Sequence, residues 1–421
     1  MKLTAEEQSI LNGDSGKVLQ KIMRSVAVYG ETFDAEKLVP LSGHPHSAMS
    51  VGANVLKPYF NMLDTIIDEQ LTTFRTFTVD PRPMDTNVLN YSILEKLIFR
   101  FMYGYQEKYE KKLDRLGLID SDSFTCACYL PEVGNIPSMG EYLAWSESSA
   151  VVFANSALGA RTNRNSVGID MLCNIVGKAP YFGFLTDGGR QAAWKIHVAT
   201  SRLPNPQVLG SAIGMKVVEE VPFITGLEQH LNDMNETAIR DYLKELGAAA
   251  ASNGAVGLFH VEGITPEAVQ QGDQLLKKQH GEYIISDDEL DRVYSSYPVL
   301  WKDKNSSPEL CFMGCPHFSL SQLYWWTENI GNQLAKNNRD QVSIETVICA
   351  PPAVMEKFRE DEKTWEHFNT MGLKVCGICP MAHMTNPVCS RKSVITNSNK
   401  LRTYSTARFY TDEELLEIIC L

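Results

Sequence analysis

The chain has 421 residues, enough for two or three compact domains at roughly 150 residues each. Its 44% hydrophobic and 21% charged residues are typical of a globular protein and exclude a disordered, collagen-like or coiled-coil chain. Acidic residues outnumber basic ones by 51 to 39, and the net charge of −12 argues against a general nucleic-acid or anionic-membrane binder. The ten cysteines are too few for a disulfide scaffold and more than packing alone requires.

The N-terminus reads MKLTAEEQSILNGDSG, with glutamates where a secretory signal would have its apolar core. No apolar run reaches the roughly 18 residues that a membrane span needs. We therefore expect a soluble, cytoplasmic protein whose partners include neither a membrane nor a nucleic acid. In a reducing cytosol, cysteines are buried thiols, catalytic groups or metal ligands before they are disulfides.

The first third of the chain reads as helical. Thr4 and Glu7 form a capping-box pattern, which predicts a short helix at the N-terminus. A second helix, apolar at every third or fourth position, is predicted to end at Gly30. Another helix, mixed in charge and rich in aromatic residues, is predicted over residues 92–116.

The composition changes over residues 121–164, which are rich in small residues, glycines, prolines and hydroxyl side chains. Such a composition is typical of loops that form a site. A short buried helix is predicted over residues 149–158. After it, Arg161, Asn163 and Arg164 supply strong hydrogen-bond donors in one turn, a natural clamp for a carboxylate or phosphate. An ion-paired surface turn would show the same pattern.

The middle of the chain is predicted to hold a helix over residues 237–251, a strand over 256–261 and a helix with Pro266 in its first turn. A polar stretch follows and marks a domain junction. We therefore expect an N-terminal α/β catalytic region over residues 1–290 and a C-terminal α/β domain over 291–421.

The C-terminal third alternates between strands and helices. Strands are predicted at residues 309–313, 345–350, 373–376 and 393–396, with helices at residues 319–336 and 353–371. This order predicts a parallel sheet with right-handed crossovers, whose ligands gather at the carboxyl ends of the strands. Cys315, Pro351 and Cys379 each follow a predicted strand and should share that edge.

Because Cys315 and Cys379 share this edge, they can lie close to a common point in space. Cys126, in the other segment built like a site, is the best third partner for Cys315 and Cys379. Three soft thiolates suit zinc or an iron–sulfur centre and leave a coordination position open for a substrate. Cys311 and Cys376 could instead join Cys315 and Cys379 in a four-cysteine zinc site. Core thiols without chemistry are predicted at Cys173, Cys349 and Cys420.

Other polar groups could serve binding or proton transfer. Asn397, Ser398 and Lys400 follow the last predicted strand, where an α/β sheet would bind an anion, although a capped helix start gives a similar pattern. His44 and His46 lie in a loop of small residues, and one of the two is expected to be structural. The candidate catalytic side chains carry hydroxyl or imidazole groups: His44, Ser148 and Ser398.

Five separated segments resemble the catalytic large subunit of the aconitase X family: MKLTAEEQSILNGDSG, TCACYLPEVGNIPSMGEYLAWSESSAVVFANSALGARTNR, GLFHVEGITPEA, GCPHFSLSQL and VITNSNK. The resemblance implies an aconitase-like arrangement of α/β domains, with parallel sheets around a central metal site. The family's three metal-ligating cysteines fall on Cys126, Cys315 and Cys379. The implied cofactor is iron, either mononuclear or in a 2Fe–2S or 4Fe–4S cluster.

The resemblance also implies a reaction and a partner. The expected enzyme is a hydro-lyase in which iron takes the hydroxyl of a small hydroxy acid. Arg161, Asn163, Arg164, Asn397 and Lys400 are the candidates for binding the substrate. A small swivelling-domain subunit on a separate chain would supply a serine as the general base.

The preferred substrate is cis-3-hydroxy-L-proline, dehydrated to Δ1-pyrroline-2-carboxylate, because no cluster of basic residues dedicated to a phosphate stands out. Dehydration of mevalonate 5-phosphate is the first alternative. The second is a zinc-stabilised binding subunit without catalysis.

Overall fold

The computed structural model describes residues 1–421 and has the predicted α/β fold class with parallel sheets. The helices are α1 (Ala5–Asn12), α2 (Lys17–Thr32), α3 (Lys57–Asp68), α4 (Ile93–Met102), α5 (Gln106–Leu116), α6 (Ser148–Ser156), α7 (Val167–Val176), α8 (Pro206–Val217), α9 (Glu228–Leu231), α10 (Glu236–Asn253), α11 (Pro266–Gln271), α12 (Asp287–Ser295), α13 (Leu320–Lys336), α14 (Pro352–Arg359), α15 (Glu362–Thr370), α16 (Pro380–Met384), α17 (Asn399–Tyr404) and α18 (Asp412–Cys420). The strands are β1 (Leu38–Pro40), β2 (His46–Ser47), β3 (Thr78–Val79), β4 (Tyr142–Leu143), β5 (Arg161–Thr162), β6 (Lys178–Pro180), β7 (Ala192–Ala199), β8 (Pro222–Thr225), β9 (His260–Val261), β10 (Leu276–Ser286), β11 (Leu310–Met313), β12 (Glu345–Cys349), β13 (Leu373–Cys376), β14 (Val394–Thr396) and β15 (Arg408–Phe409).

The N-terminal helices follow the sequence signals with one exception. Thr4 and Glu7 form the predicted capping box at the start of α1. Helix α2, however, runs through Gly30, where the prediction ended it. A Cβ atom at Gly30 would lie 2.8 Å from the Cβ of Pro180. This glycine therefore permits close packing on β6 and does not terminate the helix.

The single helix predicted over residues 92–116 is wrong, because two helices, α4 and α5, occupy this segment. Ser92 starts α4 with a capping box, and the helix ends at Tyr103. At the adjacent Gly104 a Cβ atom would lie 2.7 Å from the carbonyl oxygen of Arg100. The turn between the two helices thus requires a residue without a side chain.

The middle of the chain forms a four-stranded parallel sheet in the order β10-β7-β8-β9. Helices α8 and α10 contribute apolar residues to the core that this sheet also lines. The strand predicted over residues 256–261 is reduced to β9, whereas the helix α11 begins at Pro266 as predicted.

The C-terminal third forms the predicted parallel sheet, with strands in the order β13-β12-β11-β14-β15. The helix predicted over residues 353–371 is wrong in one respect: it divides into α14 and α15 at Asp361, whose side chain caps α15. Strand β15 and helix α18 were not predicted. The core of this region includes α6, so the Cys126 segment packs against the C-terminal sheet.

Three two-stranded sheets complete the fold: β1-β6, β2-β3 and β4-β5. Strands β2 and β3 pair in parallel and carry residues of the site described below. None of the helices combines the length and the apolar composition that crossing a membrane would require.

Candidate active site

Three cysteine-bearing segments meet around His317. Its backbone N–H donates to Cys126 Sγ at 3.3 Å, and its Nδ1 lies 3.1 Å from the hydroxyl of Thr125. On the other side of the ring, Nε2 lies 3.0 Å from the carbonyl oxygen of Ile378, next to Cys379. A carbonyl only accepts, so Nε2 carries the proton and Nδ1 accepts from Thr125. The imidazole therefore ties the loops of Cys126 and Cys379 to the segment that follows Cys315.

Cys315 and Cys379 follow the carboxyl ends of β11 and β13, the two strands that flank β12 in the C-terminal sheet. Both therefore lie at the predicted edge of the sheet. Cys315 comes two residues after β11, and Cys379 follows β13 and caps α16. Burial raises the pKa of Cys315 to about 11 and the pKa of Cys379 to about 12, and Cys315 adds to the shift at Cys379. Burial also raises the pKa of Cys126, with further contributions from Glu147 and Cys315. The three thiols therefore share one electrostatic environment.

The chemistry of this donor set fits iron, because soft thiolates are the usual ligands of iron–sulfur centres. Burial favours the protonated thiols, and a bound cation would favour the thiolates. No group of three or more His, Cys, Asp or Glu side chains is arranged so that it could hold a metal ion as it stands. The segments therefore bring the thiols into one neighbourhood without fixing a coordination geometry.

The alternative four-cysteine arrangement is not brought together. Cys311 packs with Met313 and Ile348 in one core. Cys315 and Cys376 pack in a different core. Cys311 therefore lies on the opposite face of the C-terminal sheet from the cysteines with which it would bind zinc.

A buried ion pair joins Lys400 to Glu147 beside the cysteines. Both side chains are only 5% exposed, and the ammonium group also donates to Ser149 Oγ at 3.3 Å. Glu147 accepts from the hydroxyl of Ser149 at 2.7 Å and from the backbone of Ala150 at 2.5 Å. Although burial opposes it, Lys400 holds the pKa of Glu147 down at about 2, and Glu147 raises the pKa of Lys400.

Asp80 and His46 form the other polar part of the site. Asp80 Oδ1 and His46 Nε2 are 3.8 Å apart, and neither atom has a hydrogen-bond partner. Burial lowers the pKa of His46 to about 4 and raises the pKa of Asp80 well above its usual value. At neutral pH the imidazole is therefore neutral, and burial favours the protonated form of the carboxyl group.

These groups border a cavity of about 500 Å³ that reaches the surface. Its polar lining includes Asp80, Ser146, Glu147, Ser148, Cys379 and Lys400. Cys126 and Cys315 are buried behind this lining. The cavity therefore combines one cation, two acids and a thiol, which suits a small polar substrate.

Some of the predicted polar residues line the cavity and others do not. Ser148 and Lys400 line the cavity. Ser398 instead caps α17 and donates to the carbonyl oxygen of Cys315, so the capped helix start that the sequence left open is present. Asn397 donates to Asp412 Oδ1 at 2.8 Å and does not line the cavity.

The turn that contains Arg161, Asn163 and Arg164 does not line this cavity either. Arg161 pairs with Asp187 at 2.5 Å and donates to the carbonyl oxygen of Leu185. Asn163 is bonded to the backbone of residues 182 and 184, and Arg164 is absent from the cavity lining. The side chains of Arg161 and Asn163 are thus bonded to residues 182–187 outside the cavity, an arrangement that includes the ion pair of the alternative surface turn.

His44 also lies away from the cavity, with its Nδ1 2.8 Å from the carbonyl oxygen of Thr76. His46, two residues later, is the histidine beside Asp80. Sequence reasoning missed Asp80, Glu147 and His317 as site residues. Glu147 and His317 stand in segments to which the sequence drew attention, the one over residues 121–164 and GCPHFSLSQL, whereas Asp80 stands in none.

The whole chain has counterparts of known type. Residues 1–188 match the family described as aconitase X first domain, and residues 192–295 match aconitase X second domain. The crystal structure of the holo form of Thermococcus kodakaraensis aconitase X superposes with a TM-score of 0.81 and 27% sequence identity, with both chains fully covered.

Relatives with named activities agree with these matches. The phosphomevalonate dehydratase large subunit of Methanosarcina mazei is 31% identical over 96% of this chain and 92% of its own. That of Methanocaldococcus jannaschii is 31% identical over 79% of each chain. The cis-3-hydroxy-L-proline dehydratase of Pseudomonas aeruginosa is 29% identical over 76% of this chain but only 53% of its own length.

The α/β fold and the dehydratase relatives define a hydro-lyase. The chain belongs to the aconitase X family.

Proposed function

We propose that this enzyme removes water from a small hydroxy acid bound in the cavity beside Lys400. The observation that carries the proposal is the buried Lys400–Glu147 pair, which lines a cavity next to three thiols. An ammonium group has three N–H donors, and those of Lys400 have two acceptors, Glu147 and Ser149. One donor is left for a ligand, and we assign it to the substrate carboxylate.

Cys126, Cys315 and Cys379 would hold the iron centre, whether mononuclear, 2Fe–2S or 4Fe–4S. Such a centre, when bound, supplies a Lewis acid that polarises the bond to the departing hydroxyl group. His317 would position the three ligands through its contacts with the segments of Cys126 and Cys379.

The chain's own groups would manage charge and protons. Asp80, whose protonated form is favoured by burial, can donate to the departing hydroxyl group, while neutral His46 lies 3.8 Å from its Oδ1 atom. Ser148 lines the cavity and can bind a polar group of the substrate. We expect the base that removes the carbon-bound proton to be a serine of a partner subunit.

For the substrate we favour cis-3-hydroxy-L-proline. Lys400 is the single basic side chain in the cavity lining, where it is accompanied by Asp80 and Glu147. A single cation suits a substrate with one carboxylate, whereas a phosphate would call for further donors. Mevalonate 5-phosphate is the second candidate, because large subunits with that activity in their names match this chain over most of their length.

A direct assay separates the two substrates. The chain, co-purified anaerobically with its small subunit, is incubated with each compound, and product formation is followed by NMR. Turnover of the imino acid alone supports our choice, and turnover of the phosphate alone overturns it.

The iron centre has its own test. Cys315→Ala should lose iron and activity together, whereas Cys311→Ala, in the core on the other sheet face, should keep both. Wild-type protein that binds stoichiometric zinc without iron, or full dehydratase activity in Cys315→Ala, would overturn the proposal.

We also propose a separate small subunit as partner. The relatives of similar length are named large subunits, and the longer cis-3-hydroxy-L-proline dehydratases extend well beyond the match. Helix α4 exposes an apolar stripe of Ile93, Leu94, Leu97 and Phe101, with Phe101 77% exposed. The same helix ends at Tyr103, which lines the cavity. A subunit that closes the cavity can therefore cover this stripe.

The partner proposal is tested with a co-expressed protein of domain size, about 100–150 residues, encoded beside this chain. Leu97→Glu combined with Phe101→Glu should weaken its binding at least tenfold, measured by calorimetry. Val28→Glu, at an exposed apolar position on α2, is the control. If the Leu97→Glu, Phe101→Glu double variant binds the partner as tightly as Val28→Glu does, α4 is not part of the interface.

Two further expectations stand as proposals. All ten cysteines are unpaired, which suits the reducing environment of the cytoplasm. A division near residue 290 would separate the four-stranded sheet, which ends at Ser286, from the five-stranded sheet, which begins at Leu310. Limited proteolysis between the two sheets would test that boundary.

A further inference from the structure

A small cavity, too narrow to admit a water molecule, lies between β2 and α7, next to the candidate active site. Its lining includes Ser47, Ser146, Asp170 and Asn174. Ser146 also lines the larger cavity, so the two spaces share a wall.

Three oxygen atoms of this small cavity have no hydrogen-bond partner: Asp170 Oδ2, Asn174 Oδ1 and Ser47 Oγ. Their residues are 1%, 4% and 6% exposed, respectively. Buried polar atoms are nearly always satisfied in folded proteins, so three unpartnered oxygens around one space call for a ligand.

The helix explains why two of these oxygens point the same way. Asp170 and Asn174 are four residues apart on α7 and therefore share one face. The remaining atom of each side chain is fixed, because Asp170 Oδ1 accepts from Asn165 at 2.8 Å and Asn174 Nδ2 donates to the carbonyl oxygen of Ala144 at 2.9 Å. What each side chain offers the cavity is thus an acceptor.

We propose that this cavity binds a monovalent alkali cation of the size of Na⁺. Carboxylate, amide and hydroxyl oxygens are the ligands of hard cations, and a single carboxylate balances a single charge. Mg²⁺ retains several of its waters, for which the narrow space has no room, and Ca²⁺ is usually held by more oxygens and more charge.

The cation would join two parts of the fold that flank the active site. Ser47 lies on β2 directly after His46, and Asn174 lies on α7. Ser146, whose hydroxyl accepts from the backbone of Ala48 at 2.9 Å, borders the same space. Binding would therefore brace the strand that carries His46.

Burial raises the pKa of Asp170 well above its usual value. The competing explanation of the unpartnered oxygens is therefore a protonated Asp170 that donates to Asn174. A cation and a proton predict opposite responses to salt and to an isosteric neutral substitution.

The test is thermal unfolding of the full chain at pH 7.5 and constant ionic strength, in NaCl, KCl, MgCl₂, CaCl₂ or N-methylglucamine chloride. NaCl should raise the Tm by several degrees over N-methylglucamine chloride, with saturation, because a ligand of the folded state stabilises by mass action. Asp170→Asn should abolish this response, and Asp122→Asn, at an exposed position, should retain it. Ser47→Ala removes one ligand oxygen and should raise the half-saturating Na⁺ concentration several-fold.

A wild-type Tm that is the same in every salt overturns the proposal, as does Asp170→Asn with wild-type stability in all of them. A saturable response to CaCl₂ or MgCl₂ but not to NaCl overturns the choice of a monovalent cation. If Asp170→Asn does not fold, Ser47→Ala decides: an unchanged Na⁺ midpoint counts against the site. The readout requires neither iron nor activity, so it is independent of the proposed reaction.

Discussion

Two ion pairs in this molecule are similarly buried, but their cations differ in the number of hydrogen-bond donors left unused. Lys400 and Glu147 are 5% exposed each, and Arg190 and Glu267 are 1% and 5% exposed. The Arg190 guanidinium uses all five of its N–H donors, on Glu267, Asn155 and the carbonyl oxygen of Phe184. Lys400 keeps a free donor and lines a cavity.

The difference teaches that burial of an ion pair does not by itself mark a site. Removing either cation leaves an uncompensated carboxylate in the interior. A group saturated by protein partners stabilises the fold, whereas one with an unused donor beside a cavity can bind a ligand. The following predictions test this division.

The largest effect is expected at Lys400. Lys400→Met should reduce kcat/KM by about 1000-fold, because the cation that we assign to the substrate carboxylate is lost. Lys400→Arg, which keeps the charge and changes its geometry, should fold and still lose most activity. Steady-state kinetics at measured iron content provide the check. Lys392→Met, which breaks the pair with Glu95 outside the cavity, should stay within about twofold of wild type and serves as the control.

Arg190→Met should instead act on stability. We expect the free energy of unfolding to fall by about 3–5 kcal/mol, since Glu267 is left buried and unpaired. Urea unfolding measures this loss. The double variant Arg190→Met with Glu267→Leu should recover part of it. The division between the two pairs is wrong if folded Arg190→Met loses activity as severely as Lys400→Met does.

His317 resembles Arg190 in having both ring nitrogens bonded, but it lies among the cysteines. His317→Phe keeps the ring and removes both contacts, and we expect iron affinity to fall about 10–100-fold, as for other residues that orient metal ligands. Metal analysis after graded chelation measures it. His197→Phe, on the four-stranded sheet, is the matched control and should retain its iron.

The smallest effect is expected at Asp412, a half-buried acid bonded to Asn397 without a cationic partner. Burial raises the pKa of Asp412 to about 7, so the folded protein binds this proton more tightly than the unfolded chain. The free energy of unfolding should therefore fall as pH rises from about 4 to 7. Asp412→Asn should remove this pH dependence. The free energy of unfolding of the variant, relative to that of the wild type, should therefore be about 1 kcal/mol higher at pH 8 than at pH 5. Glu413→Gln, an exposed neighbour, should keep the slope.

Local signals predicted much of the fold. The capping box at Thr4, Pro266 at the start of α11 and the parallel order of the C-terminal sheet are confirmed. One error arose where tertiary packing overrode local preference, and another where a local capping signal was overlooked. Gly30 is required by contact with Pro180 and does not end its helix, and Asp361 starts a new helix inside an apparently continuous one.

The site was less accessible to sequence reasoning. Cys126, Cys315, Cys379 and Lys400 stand in short segments with recognisable chemistry. Glu147 is 253 residues from the lysine with which it pairs, and Asp80 stands in no motif. Arg161 offered donors as strong as any in the chain, yet it lies outside the cavity, where it donates to Asp187 and a backbone carbonyl.

From the sequence alone, the chain could be identified as an α/β protein of the aconitase X family. Periodicity, capping residues and motif spacing are local, so they can be read along the chain. Only the tertiary structure decided which polar groups are free. That depends on contacts formed in the folded chain: Lys400 pairs with Glu147, 253 residues away, and keeps one donor for a ligand, whereas Arg161 lies outside the cavity beside Asp187.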